Sequence, residues 1–96
     1  MNKSNIISEK VTIIGIVPLD FNATDGSHIC GFKIHYYRDK KDSENTIGKV
    51  YENAYLSKSD LSDKEKYEKK VYPIQATIEY EFVSLSKKPK PINIIF

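Results

Sequence analysis

Two runs between Ser27 and Leu56 alternate in character residue by residue, and a charged stretch joins them. Strands throw successive side chains to opposite faces, whereas helices return to one face every three or four residues. With a period of two, the first run places His28, Cys30, Phe32, Ile34 and Tyr36 on one face. Ile29, Gly31, Lys33, His35 and Tyr37 fall on the other. The second run places Val50, Ala54 and Leu56 inward, and Lys49, Tyr51, Asn53 and Tyr55 outward. This pattern calls for a half-buried sheet. Its outward side mixes tyrosines with bases, although a merely solvated face needs only Thr, Glu or Lys. Bases stacked on the rings, with phosphates held by the cations, would account for that mixture.

At 96 residues the chain has room for one domain and one modest core. Hydrophobic residues make up 40% and charged ones 29%, which places it among globular and not disordered chains. A net charge of +2 excludes a polybasic protein that coats any anionic surface, so any nucleic-acid site must come from patterned charge. The single cysteine excludes an internal disulfide and a multi-cysteine zinc site, and its place on the core face reads as a buried thiol. Met1 to Lys10 lacks the apolar region of a signal peptide, and no apolar run reaches the roughly 18 residues of a membrane span. The expected location is therefore cytoplasmic, and the Asn22-Ala23-Thr24 sequon reads as chance. Abundant Lys, Asn and Ile point to an AT-rich gene of a low-GC bacterium, phage or plasmid.

In chain order, residues 1–9 are expected as a flexible arm and residues 10–96 as a single domain. Lys10 to Phe21 reads as a buried strand rich in β-branched residues, with Gly15 marking a bulge or bend. Asp25-Gly26 signals a type I′ hairpin turn. The second strand is expected from about Ser27 to Arg38 and the third from about Ile47 to Leu56, with the polar loop Arg38 to Thr46 between them. Ser62, with Glu65 three residues on, predicts a capping box and a short helix from about Ser59 to Lys70. Its scant apolar surface makes it a cap over the strands. A fourth strand follows Pro73, its inner Ile74, Ala76, Ile78, Tyr80 and Phe82 alternating with an acidic outer face. Lys87, Lys88, Pro89, Lys90 and Pro91 form a stiff basic connection to a last strand, Ile92 to Phe96.

Five strands with a short helix between the third and fourth is the element order of an OB-fold, a partly open Greek-key barrel, so the fold class expected is mainly all-β. Oligonucleotides meet that fold on strands two and three and on the loops after strands one and four. Here those places hold the Tyr/Lys face, the Asp25-Gly26 turn and the lysine-rich connection. The chain also resembles the small single-stranded-DNA-binding, helix-destabilising proteins of filamentous phages and of Gram-positive phages and plasmids. The resemblance rests on Val11-Thr12-Ile13-Ile14-Gly15-Ile16, on Asp25 through Lys33, on Gly48-Lys49, and on Ile78-Glu79-Tyr80-Glu81-Phe82 before the lysine-rich turn. It implies a homodimer with an OB-type barrel that coats single strands cooperatively and with little sequence preference.

The expected nucleic-acid face is Lys33, His35, Tyr37, Lys49, Tyr51 and Tyr55, with Arg38 as a wing and Lys87, Lys88 and Lys90 as phosphate contacts. The expected partner is single-stranded DNA, with RNA as an alternative. Competing structural readings are ordinary cross-strand pairing, a dimer interface, or a small β-barrel module that docks proteins. Arg38, Lys40 and Lys41 are interleaved with Asp39, Asp42 and Glu44, so a solvated loop competes with a wing there. A Gly-rich phosphate loop, an H-E-x-x-H motif, paired cysteines and a serine elbow are all missing, and Asp20 and Asp25 read as turn caps. No enzymatic role, cofactor or metal is expected.

Overall fold

The computed structural model describes residues 6–82 and 89–96. They form a mainly β protein built on one five-stranded antiparallel sheet, in the order β3-β2-β1-β4-β5. The strands are β1 (Ile6–Asn22), β2 (His28–Asp39), β3 (Lys49–Ser57), β4 (Ile74–Glu81) and β5 (Lys90–Ile95), and a single-turn helix α1 (Lys64–Glu68) lies between β3 and β4. The sheet curls enough to bring its edge strands β3 and β5 into contact.

β1 is the shared strand. Its first half, Ile6 to Ile13, pairs with β4, and its second half, to Asn22, pairs with β2. Pairing steps from Ile13↔Tyr36 to Gly15↔His35, so Ile14 is an extra residue. One extra residue reverses which positions face inward. Val11 and Ile13 therefore point to the core before the bulge, and Ile16 packs against it afterwards. Pro18 lies beyond the β4 pairing, where its missing N–H leaves no second neighbour unserved. Residues 6–9 belong to this strand, so the arm expected over residues 1–9 is too long. Ile7 and Glu9 pair with Tyr80 and Ile78, and the backbone bonds of β4 outweigh the polar local composition.

The core gathers Ile13, Phe32, Ile34, Leu56 and Ile78, each under 2% exposed. Each such side chain contributes about 1.5–3 kcal/mol relative to an exposed position. Helix α1 closes the core with one ring: Tyr67 meets Phe32 edge-on at 4.9 Å between centroids and lies 5.9 Å from Phe96. The helix is far shorter than Ser59 to Lys70, because one buried residue supports little helix. The expected capping box does not form. Asp63 is the N-cap and makes no side-chain cap bond, while the Asp60 carboxylate accepts from the Ser62 N–H.

The β1–β2 turn also departs from expectation. A type I′ turn needs positive φ at both central residues, but of the described non-glycine residues none has positive φ. Instead the Gly26 N–H donates to the Ala23 carbonyl and Gly26 takes φ +91° just after the turn. Asp25 is a turn cap, accepting from both the Ser27 N–H and its hydroxyl.

Glycines 15 and 31 make a matched test. A Cβ at Gly31 would lie 2.2 Å from the Leu56 carbonyl oxygen, whereas at Gly15 it would meet nothing within 4 Å. Gly31→Ala should lower stability by about 2 kcal/mol or more, because backbone must move, and Gly15→Ala should change it by less than about 1 kcal/mol. Urea titration of the two variants checks this; equal losses would mean that β2 and β3 separate easily.

Candidate nucleic-acid interface

Cross-strand register assembles the outward face. Lys33 lies opposite Tyr55, His35 opposite Asn53, and Tyr37 opposite Tyr51. Directly opposed residues share a face, so β2 and β3 present three tyrosines, a histidine and a lysine together. The Tyr37 and Tyr51 rings meet edge-on at 6.1 Å, and His35 lies nearly parallel to Tyr51 at 6.0 Å. His35 Nδ1 also hydrogen-bonds the Tyr51 hydroxyl. The Tyr55 hydroxyl donates to the Cys30 carbonyl at 2.7 Å, which pins that ring along the sheet. Tyr37, Tyr51 and Tyr55 remain 40%, 47% and 37% exposed, so contact among themselves leaves ring surface open.

The cations of the expected site fare differently. Lys33 stays on the face, half-buried. Lys49 is on it too, but its ammonium forms an ion pair with Asp39, its cross-strand partner. Both groups are exposed, and such a pair contributes little and can yield to a phosphate. Lys90 pairs across from Glu81 at the start of β5, two strands beyond β1 in the sheet order. Its neighbours Pro89 and Pro91 nonetheless line a cleft with Asn53 and Tyr55, because the sheet curls. Lys87 and Lys88 lie outside the described residues.

Arg38 does not belong to the face. Its parity is that of Phe32, Ile34 and Tyr36, and it is only 6% exposed. The guanidinium donates in a fork to both Glu44 oxygens at 2.9 and 2.8 Å, to Glu52 at 3.0 Å and to the Asp39 carbonyl at 3.0 Å. Its donors are committed, and a planar fork satisfied by carboxylates has little to offer a phosphate. Of the loop acids that read as diluting a basic wing, Glu44 partners it through its carboxylate and Asp39 through its backbone carbonyl. From Glu52 the chain of contacts continues through the Tyr36 and Tyr80 hydroxyls, 3.0 Å apart, to Glu9. Burial pushes both phenols upward in pKa, so they serve as neutral donors.

Sequence reasoning also missed the β1 contribution. Val17 and Phe21 pair with Lys33 and Ile29, so they extend the same outward face, at 42% and 49% exposure. Their apolar identity read as buried strand. The signal that relocates them is Gly15, if its bulge is allowed to reverse the parity beyond it.

Among the described residues no helix is long and apolar enough to cross a membrane. Comparison of the chain with family models, curated proteins and solved structures finds no match.

The Arg38 cluster gives the protein an acid-sensitive link between β2, β3 and the loop. The Arg38 fork, chiefly, and the Lys41 N–H hold the Glu44 carboxyl at about 2, below its ordinary 4.5. A depressed carboxyl stabilises the fold fully above its unfolded value, and the contribution disappears as pH falls through the folded value. Glu52 is shifted in the same direction by the same arginine. Glu44→Gln should therefore be less stable than the parent at neutral pH, and the gap should close as pH falls from 4.5 to about 2. Denaturant midpoints measured across that range check it; a gap that ignores pH would mean the fork acts through packing alone.

Proposed function

We propose that this protein binds single-stranded nucleic acid, DNA in the first place, with little sequence preference and without catalysis. Bases stack on Tyr37, Tyr51 and Tyr55, with Phe21 as a further ring at the β1 border. Lys33, Lys49 once released from Asp39, and Lys90 hold phosphates. The observation that carries the reading is the exposed aromatic face of β2 and β3 with lysine among its rings. Rings that are fixed by their neighbours yet open to solvent lose little freedom when a base lies on them, and every base offers a stacking surface.

The architecture agrees with this reading. A strand order of β3-β2-β1-β4-β5, with β3 and β5 in contact, suits a five-stranded Greek-key barrel of the OB type opened along one seam. In that fold the β2–β3 face is where oligonucleotides lie. Apolar side chains at strand edges, Ile6, Ile7 and Ile95 among them, suit a homodimer of the kind the phage and plasmid resemblance implies. Such a protein would protect or present single strands during replication in a bacterial cytoplasm.

A protein-docking face is the reading to be distinguished, since Val17 and Phe21 add apolar area to the same surface. Titration with oligo-dT, followed by tyrosine fluorescence at two salt concentrations, separates them. Binding should quench the emission, and each neutralised phosphate should steepen the salt dependence by roughly 0.7 log units per log salt. Tyr51→Ala and Tyr37→Ala should each weaken binding about tenfold or more, from about 1–3 kcal/mol per stacked base. Lys33→Glu should weaken it as well. A folded protein that shows no quenching at low salt would refute single-strand binding.

A further inference from the structure

On the inward parity of the β1–β2 hairpin, beyond the end of the core, stand Asp20, His28 and Cys30. Asp20 lies directly opposite Cys30, and Asn22 directly opposite His28, so four adjacent hairpin positions converge on one face. A carboxylate oxygen, an imidazole nitrogen and the thiol sulfur lie within 4.8 Å of one another. His28 Nε2 is 2.8 Å from the Asp20 carboxylate, and its Nδ1 is 2.8 Å from Asn22 Oδ1.

The two ring nitrogens decide the chemistry. With Asn22 Oδ1 accepting from Nδ1–H, the neutral ring carries its lone pair on Nε2, facing the lone pairs of Asp20. Two acceptors at that distance need a proton or a cation between them. A histidine whose other nitrogen is held by an oxygen acceptor is the usual arrangement of a metal ligand. Cys30 adds a sulfur donor to the same corner.

We propose that Asp20, His28 and Cys30 form a binding site for a zinc-class divalent cation, with Asn22 as the positioning residue for the imidazole. One carboxylate, one imidazole and one thiolate suit zinc or cobalt at tetrahedral geometry and do not suit calcium or magnesium, which take oxygen ligands. The fourth position opens to solvent, since Asp20 and His28 are 52% and 56% exposed. The bound cation displaces the thiol proton and ties β1 to β2 beside the turn. It lies on the opposite parity from the tyrosine face, so the site stands or falls independently of nucleic-acid binding.

Titration of the metal-free 96-residue chain with Co²⁺, followed by absorption, tests the site. The expected result is a thiolate-to-cobalt charge-transfer band in the near ultraviolet that saturates at a single cobalt per chain and disappears when Zn²⁺ is added. Cys30→Ser should abolish it. Asp20→Asn and His28→Gln, both at exposed positions where folding is not at stake, should each weaken Co²⁺ by more than ~10-fold, and Asn22→Ala by ~10-fold. Absence of a sulfur band from the folded chain would overturn the proposal. So would a band whose cobalt affinity is unchanged in both Asp20→Asn and His28→Gln.

Discussion

A single extra residue in β1 is the constraint on which the rest of the structure depends. One strand, Ile6–Asn22, serves β4 with its first half and β2 with its second, and the bulge at Ile14 lies at the changeover. Without it, Val11, Ile13 and Ile16 could not all meet the same core, because strict alternation would turn Ile16 outward. The same parity switch places Val17 and Phe21 on the tyrosine side and Asp20 and Asn22 on the other. The packing of Ile16, the apolar border of the aromatic face and the β1 half of the candidate cation site are three consequences of that one local irregularity.

The polar interior shows how a small sheet disposes of charge. Arg38 faces inward at the end of β2, where an unpaired guanidinium would be costly to bury. Glu44 from the loop and Glu52 from β3 close around it, and the Tyr36–Tyr80 contact carries the chain of polar partners to Glu9 on β1. Buried networks of this kind are favourable only when every member is satisfied, and among the described residues no buried side-chain polar atom lacks a partner. The result joins β1, β2, β3 and β4 at one end of the sheet and anchors a loop whose one large apolar side chain, Ile47, is exposed.

The two faces of the β2–β3 ribbon divide the work by chemistry. Inward, Phe32, Ile34 and Leu56 supply the packing that keeps the ribbon rigid. Outward, cross-strand contacts hold the tyrosines without covering them. Rigidity at a surface of exposed rings is what a stacking platform requires, since affinity is lost when a ring must be ordered on binding. At the first residues of β2 the inward parity runs past the core, and there His28 and Cys30 face Asn22 and Asp20 of β1 in place of aliphatic partners.

Alternation in residues 27–56 by itself determined strands β2 and β3, their inner and outer faces, and the identity of the tyrosines that remain exposed. Period-two patterning is a local property and survives translation into a sheet. The strands before and after were legible for the same reason, and Gly15 marked the bend. What only the tertiary structure decided depends on residues distant in sequence. Arg38 looked like a free cation because Glu52, its partner across the ribbon, lies fourteen positions away. The first residues of β1 looked like a loose arm because their hydrogen bonds come from β4. The grouping of Asp20, His28 and Cys30 needed the register of a hairpin whose turn was misassigned from its Asp-Gly pair. Local pattern sets which way each side chain points; register and curl set which side chains meet.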